Sequence, residues 1–202
     1  MAQYQKIPDD IKLLPLKKKL ELLYGDGFWK VRGIEDFGLK PFLVADGPHG
    51  LRKQVDKGDQ LGIMAAFPAT CFPTASLLAC SFDQDLIFQM GQAIAREALH
   101  QRVAVVLGPG VNIKRNPLCG RNFEYFSEDP LLSGKMGAAF IKGVQSRGVG
   151  TSLKHYAANN QETNRLTINA VIDARALHEI YLKPFEIAVK EAKPYTIMCS
   201  YN

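Results

Sequence analysis

The 202-residue sequence lacks long apolar runs. No stretch approaches the roughly 18 consecutive apolar residues that a membrane-spanning helix needs. The segment from Met1 to Lys19 is polar and charged, and it contains no apolar core of the kind found in a secretory signal peptide. We therefore expect no membrane association, and the cytoplasm is the simplest location.

Motifs for metals and cofactors are also missing. The four cysteines lie at positions 71, 80, 119 and 199, and none forms a C-x-x-C pair or a Cys/His spacing that holds zinc. We expect buried thiols in a reducing compartment. Neither G-x-G-x-x-G nor G-x-x-x-x-G-K-S/T follows an apolar run, which argues against dinucleotide and P-loop sites. The sequence thus predicts no metal and no organic cofactor.

Positive charge is in modest excess, with a net charge of +5 that is scattered along the chain. The only dense run is Lys17 to Lys19, which lies in a short helical pattern without interleaved aromatic residues. This run predicts a solvated helix face rather than a nucleic-acid site. With 47% hydrophobic residues the composition is that of a globular protein with a sizeable core.

Beyond Lys40 an apolar run, a loop rich in Gly, Pro and Asn, and an amphipathic helix follow one another in a repeating order. The apolar runs cover residues 41–46, 103–107, 149–154 and 195–199. The run 103–107 is apolar without alternation, which is typical of a strand buried on both faces of a parallel sheet. The pattern predicts an α/β fold with about four parallel strands.

Helix ends are marked by polar residues and proline. Ser81 to Gln84 predicts a capping box at the first long helix. Asp129 followed by Pro130 predicts the start of the second, and Asp173 predicts the start of the third. Pro184 lies inside the third helix and should kink it.

Polar side chains follow each of the four apolar runs. Right-handed crossovers bring all strand-to-helix loops to one end of the sheet, where ligands bind in doubly wound sheets and TIM barrels. The side chains expected there are those of Asp46, Arg52, Arg121, Lys154, His155, Met198 and Tyr201. Carboxylates that accept from neighbouring hydroxyls, and cations that donate to others, suit a polyol. A phosphorylated substrate held by Arg121, Lys154 and Arg165 is the rival interpretation.

Several of these residues also have structural alternatives. Asp46 alone can cap the turn that follows it, and His155 can be a satisfied core histidine. Arg121 can pair with Glu124 or Asp129, and this alternative is nearly as well supported as a binding role.

Four segments in this order resemble glycoside hydrolase family 3, and most closely its bacterial β-glucosidases. They are DGPHGLR at 46–52, GRNFEYFSEDP at 120–130, KHYAAN at 154–159 with ETNR at 162–165, and MCSYN at 198–202. The resemblance implies the N-terminal half of a TIM-like (β/α)8 barrel, with the barrel incomplete. We divide the chain into a helical lead-in, residues 1–40, and a partial barrel, residues 41–202.

The resemblance also assigns roles. The seven residues at the strand ends would bind a terminal β-linked glucose or a related sugar in the −1 subsite, and Glu162 and Arg165 would support them. In the family a nucleophilic Asp follows the Met-x-x-Tyr-Asn segment, and an acid/base Glu lies in another domain. A retaining glycosidase needs both carboxylates. We therefore expect no catalytic residue and no turnover in this chain alone.

Two further outcomes remain open. The chain is either part of a β-glucosidase-like O-glycosyl hydrolase or a non-catalytic sugar-binding half that a downstream chain completes. An unpaired last strand would also allow self-association through its open edge.

Overall fold

The structure is a computed structural model that describes residues 12–34, 38–55 and 64–202. Its centre is a curled, five-stranded half-barrel sheet whose strand order follows the chain. The strands are β1 (Lys30–Val31), β2 (Phe42–Ala45), β3 (Val103–Val106), β4 (Gly150–Tyr156) and β5 (Thr196–Cys199). Strands β2 to β5 pair in parallel, as the four apolar runs predict. The antiparallel pair β1–β2 was not predicted, because two residues are too few to carry a pattern.

Six helices accompany the sheet in the described part of the chain. They are α1 (Leu16–Glu21), α2 (Ala75–Ala79), α3 (Gln84–His100), α4 (Pro130–Gln145), α5 (Ala174–Ala176) and α6 (Lys183–Ala192). A 3-10 turn covers Asn122–Glu124, and a π-helical turn covers Leu177–Tyr181. Helix α4 packs against both α3 and α6. None of the described helices is both long enough and apolar enough to cross a bilayer.

Helix α3 begins later than the capping box predicts. The side chain of Asp83 caps it by accepting from the backbone N–H of Leu86 at 3.0 Å. Ser81 is instead tied to the end of α2, where its hydroxyl donates to the carbonyl of Leu78 at 2.6 Å. The predicted box was therefore wrong, because Ser81 and Asp83 both have capping chemistry and the local turn selects the second.

The predicted start of α4 is confirmed. Asp129 accepts from the N–H of Leu132 at 2.7 Å, and Pro130 is the first helical residue. This position suits proline, since its missing N–H would have no intrahelical partner there.

The helix after β4 is interrupted rather than smoothly kinked. Asp173 caps α5 as predicted, accepting from the N–H of Ala176 at 2.9 Å. The chain then widens into the π-helical turn and restarts as α6, with Pro184 in its first turn. Proline removes an N–H and clashes with the carbonyl four residues earlier, which accounts for the break before Pro184.

The core lies between the sheet and helices α3, α4 and α6. Ile94, Val106, Phe140, Val144 and Leu153 are among its most buried side chains. Burying this apolar surface fixes the strands and thereby fixes the position of the loops at their carboxyl ends.

Three of the four thiols depart from the sequence expectation. Cys71, Cys80 and Cys199 are exposed, and only Cys119 is buried. The three lie in loops or at a sheet edge that the core does not cover, so residue type alone did not predict their exposure.

Candidate functional site

The carboxyl end of β4 carries two buried polar side chains. Lys154 is 2% exposed and His155 is 5% exposed. The segment after β3 holds their backbone: the N–H of Lys154 donates to the carbonyl of Pro109 at 3.0 Å, and the N–H of Val111 donates to the carbonyl of Lys154 at 2.9 Å. These backbone hydrogen bonds therefore fix the position from which both side chains extend.

The Lys154 ammonium lies between two carboxylates from other elements. Its Nζ atom is 3.1 Å from Asp46 Oδ1 and 3.2 Å from Glu124 Oε2. Glu124 is buried, whereas the Asp46 side chain is 44% exposed. A buried ammonium needs such partners, because an unpaired charge in the interior is costly. Asp46 therefore connects a buried ion pair to the surface.

Arg121 links this ion pair to His155 and to the loop that follows β4. Its Nε atom pairs closely with Glu124 Oε1, and its Nη2 atom lies 2.7 Å from His155 Nε2. A third contact joins Nη1 to Glu162 Oε1 at 3.9 Å. Burial alone would lower the pKa of Arg121, but Glu124, Tyr125 and Glu162 together raise it above its ordinary value.

His155 is a neutral imidazole with a defined proton position. Burial first, and then the charges of Arg121, Lys154 and Arg165, lower its pKa to about 2. A guanidinium can only donate, so Nε2 accepts from Arg121 and Nδ1 carries the proton. Nδ1 faces the Tyr125 hydroxyl at 3.0 Å and Asn112 Oδ1 at 3.4 Å.

A fully buried tyrosine supports the imidazole. Tyr125 accepts from Asn159 Nδ2 at 2.8 Å, and burial raises the pKa of its hydroxyl, which stays a phenol. Gly110 lies against this ring: a Cβ on Gly110 would lie 2.8 Å from a ring carbon of Tyr125. Only glycine fits there without moving the tyrosine.

The network continues toward the end of β5. Asn159 Nδ2 donates to Glu162 Oε1 at 2.9 Å, and Glu162 Oε2 pairs with Arg165 Nη1 at 3.0 Å. The Arg165 guanidinium lies 5.1 Å from the centre of the Tyr201 ring. Carboxylates and cations thus alternate from Asp46 to Arg165 across the end of β4 and the segments that follow β2, β3 and β4.

A cleft of about 530 Å³ opens beside Asp46. Its lining includes Asp46, His49, Arg52, Phe67, Cys71, Arg121, Phe123 and Glu124. The turn after Asp46 depends on Gly47, whose φ is 110°. This turn brings the chain back, so that the N–H of Arg52 donates to the carbonyl of Asp46 at 2.8 Å. The exposed Arg52 side chain and the Asp46 carboxylate consequently share one cleft.

The predicted residues fall into two groups. The contacts described above join six of them: Asp46, Arg121, Lys154, His155, Glu162 and Arg165. The Arg52 side chain shares the cleft and contacts none of these six side chains among the described residues, although its backbone N–H binds the carbonyl of Asp46. Met198 is in register with Lys154 across β4 and β5 and is partly buried, while Tyr201 is exposed and contacts Arg165. Neither Met198 nor Tyr201 lines the cleft.

Sequence reasoning missed several residues that build the site. The Arg121–Glu124 pair was weighed only as an alternative to binding, whereas Glu124 joins both cations. Tyr125 and Asn159 belong to the motifs already quoted, yet no periodicity distinguishes them. Asn112 carried no signal, although it exchanges hydrogen bonds with the backbone of His155 at 2.9 and 3.0 Å.

No role in the site was predicted for His49 from the sequence. It lines the cleft and packs edge-on against Phe123, with ring centres 5.8 Å apart. Its Nε2 atom is buried and has no hydrogen-bond partner among the residues that the structure describes. Burial is the main reason that the pKa of His49 is lowered.

The site has the chemistry of a hydrogen-bonding pocket. Within the described ranges no three His, Cys, Asp or Glu side chains group closely enough to hold a metal ion. Asp46 offers a partly exposed carboxylate, and Lys154 has donors fixed next to it. Such an arrangement can bind adjacent hydroxyl groups through charge-assisted hydrogen bonds.

Comparison with known proteins identifies relatives along nearly the whole chain. This chain is 52% identical to the thermostable beta-glucosidase B of Acetivibrio thermocellus, over 95% of its own length and 25% of that protein. It is also 52% identical to an exo-alpha-(1->6)-L-arabinopyranosidase of Bifidobacterium longum, over 95% of this chain and 26% of that protein. The chain therefore spans about a quarter of the length of these relatives.

Solved structures agree with the sequence comparison. The GH3 beta-glucosidase of Bifidobacterium adolescentis matches with a TM-score of 0.87 and 53% identity, over 95% of this chain and 27% of that one. Beta-glucosidase 3B of Thermotoga neapolitana, solved in complex with glucose, matches with a TM-score of 0.88 and 42% identity, over 96% of this chain and 29% of that one. The model of the glycosyl hydrolase family 3 N terminal domain matches residues 42–202. The chain belongs to glycosyl hydrolase family 3, and its half-barrel is part of that family's N-terminal domain.

Proposed function

We propose that this chain binds the terminal pyranose of a glycoside, as the sugar-binding part of a β-glucosidase-like O-glycosyl hydrolase. The observation that carries the proposal is the Lys154 ammonium held between Asp46 and Glu124 beside an open cleft. Glucose is the first candidate sugar, since related enzymes are beta-glucosidases and one was solved with glucose. An arabinopyranoside is a second candidate, because the arabinopyranosidase relative is equally similar.

Charge balance supports a neutral ligand over a phosphorylated one. Three carboxylates, those of Asp46, Glu124 and Glu162, match the three cations Lys154, Arg121 and Arg165. His155 is neutral and adds no charge. A phosphate clamp needs cations that are not already paired, whereas Arg121, Lys154 and Arg165 already have carboxylate partners. The exposed Arg52 side chain lines the same cleft outside this balance, so the balance argument applies to the network and not to Arg52.

Bond cleavage is assigned to groups other than the two cleft carboxylates. A retaining glycosidase needs a nucleophile and an acid/base about 5 Å apart on opposite sides of the bond. Asp46 and Glu124 both pair with the same ammonium, which holds them for binding and positioning. We further propose that residues 41–202 form a partial barrel domain that binds sugar and that residues 1–40 are its lead-in.

Calorimetry tests this function with D-glucose and glucose 6-phosphate as the two ligands. We expect the wild-type chain to bind glucose and to gain no affinity from the phosphate. Asp46→Asn should weaken glucose binding by about tenfold, because a charge-assisted hydrogen bond becomes a neutral one. Asp129→Asn, at the start of α4, is the matched control and should bind like the wild type. Tighter binding of the sugar phosphate would instead support the phosphate-clamp interpretation.

A further inference from the structure

Glu124 is a buried carboxylate whose two oxygens bind different cations. It ends the 3-10 turn Asn122–Glu124 and is 5% exposed. One oxygen pairs with Arg121 Nε, and the other lies 3.2 Å from Lys154 Nζ. With both oxygens engaged by protein cations, Glu124 serves the site through its neighbours rather than as a sugar ligand.

The backbone beneath Glu124 is fixed. Its N–H donates to the carbonyl of Arg121 at 3.1 Å, and the following residue, Tyr125, is completely buried. Gly110 forms bridges with both Tyr125 and Lys154. The turn that carries Glu124 and the strand end that carries Lys154 are therefore attached to the same residue.

Both cations depend on this carboxylate for their position. The Lys154 side chain is 3% exposed, and its only other carboxylate partner among the described residues is the half-exposed Asp46. The next carboxylate for Arg121 is Glu162, at 3.9 Å. Loss of the Glu124 charge would leave a buried ammonium and a largely buried guanidinium short of a partner, which is unfavourable.

The effect reaches His155 through Arg121. While Glu124 holds Nε, the Nη2 atom of Arg121 points at His155 Nε2 from 2.7 Å. This donor fixes Nε2 as an acceptor and leaves the proton on Nδ1.

We infer that Glu124 is the positioning residue of the site: it holds Lys154 and Arg121 at the cleft and, through Arg121, fixes the tautomer of His155. The part of this inference that concerns sugar affinity rests on the proposed function. The part that concerns the tautomer stands without any ligand.

Glu124→Gln tests the inference, because glutamine keeps the shape and removes the charge. Nitrogen NMR of the His155 imidazole in the sugar-free chain is the first readout, and D-glucose affinity by calorimetry is the second. We expect a single Nδ1–H form in the wild type, a mixture of tautomers in E124Q, and an affinity for glucose about tenfold lower in E124Q. Glu124→Asp keeps the charge, so it should partly restore both the Nδ1–H form of His155 and the affinity for glucose.

Glu97→Gln is the matched control. The Glu97 carboxylate binds the N–H of Thr70 at 3.2 Å, outside the network. E97Q should lose stability without changing the His155 tautomer, which is the readout that it controls. If E124Q does not fold, Arg121→Lys replaces it, since an ammonium pairs with Glu124 but has no second nitrogen to reach His155.

The outcomes separate the two claims. A single Nδ1–H tautomer and wild-type glucose affinity in E124Q overturn the inference, and so does a mixed tautomer in E97Q. In the replacement experiment, an unchanged tautomer in R121K overturns it. If the wild-type chain binds no glucose while E124Q shows a mixture of His155 tautomers, the proposed function fails and the positioning role of Glu124 stands.

Discussion

At the scale of single residues, the site depends on charges and polar groups held away from water. Lys154 lies within 3.2 Å of carboxylates from two other segments, and His155 is kept neutral beside three cations. Sequence reasoning predicted that these residues converge, because they follow the ends of parallel strands. It did not predict that Glu124 joins two cations, because a carboxylate three residues after an arginine looks like an ordinary surface pair.

Acid should destabilise the fold through His155. Its pKa falls from the ordinary 6.5 to about 2 on folding, mainly through burial. Between these values the unfolded chain binds a proton that the folded chain does not. The free energy of unfolding should therefore fall as the pH drops below 6.5, by up to about 1.4 kcal/mol per pH unit.

Urea unfolding between about pH 7.5 and about pH 5.5 measures this slope. His155→Gln removes the titrating group, so the variant should be less stable at neutral pH and show a shallower slope. His178→Gln, at an exposed position, is the control and should keep the wild-type slope. Equal slopes in H155Q and the wild type would contradict a buried, neutral imidazole.

The Lys154 ion pairs should matter far more than the ion pairs at the surface. Lys154→Met leaves the buried Glu124 short of a cation, and we expect the free energy of unfolding to fall by about 3 kcal/mol. Lys190→Met, which breaks an exposed pair with Glu186 on α6, should change it little. Urea unfolding compares the two. Similar losses would mean that burial does not amplify the Lys154 contacts.

At the scale of elements, the strand positions follow from the apolar runs, and the helix starts follow from capping chemistry. Strands β2 to β5 lie where the sequence predicts them, because each is a separate apolar run between polar loops. The cap of α3 was misassigned because Ser81 and Asp83 can both cap a helix, and the tertiary turn around them decides between the two. The π-helical turn before α6 was not predicted, because Pro184 was expected to kink a continuous helix, whereas the helix is interrupted before it.

The close approach of Gly110 to Tyr125 gives a prediction at this scale. Gly110→Ala places a methyl group 2.8 Å from a ring carbon of Tyr125, and the ring must move. We expect a loss of about 1–3 kcal/mol in stability, because the buried Tyr125 ring has no free space into which it can move. Glucose binding should also weaken, since Tyr125 supports His155. Gly120→Ala is the matched control, because its Cβ would meet no atom within 4 Å. Equal behaviour of the two variants in urea unfolding and glucose calorimetry would contradict the packing argument.

At the scale of the whole molecule, the sheet is a half-barrel whose last strand is paired on one side in the described residues. Near that edge Tyr195 is 65% exposed and Ile197 is 46% exposed. The four parallel strands were predictable because each is a separate apolar run, whereas the two-residue antiparallel strand β1 was not. The curl of the sheet was expected only through the family resemblance, since no local pattern encodes it.

The isolated chain should self-associate through this edge. Open strands carrying apolar side chains pair with other chains. We expect sedimentation equilibrium to show a mass that rises with concentration, and Ile197→Lys to reduce that rise by placing a charge at the edge. Leu118→Lys, at an exposed loop position outside the sheet, is the control. A strictly monomeric wild-type chain would contradict this expectation.

The central claim is that side chains from separate strand ends form one binding site for a neutral pyranose. Titration of the isotopically labelled 202-residue chain with D-glucose, followed by NMR, tests it most directly. We expect saturable shifts in three distant segments, residues 46–52, 121–125 and 154–159, all with one dissociation constant. Shifts confined to a single segment, or no saturation while the chain remains folded, would contradict it.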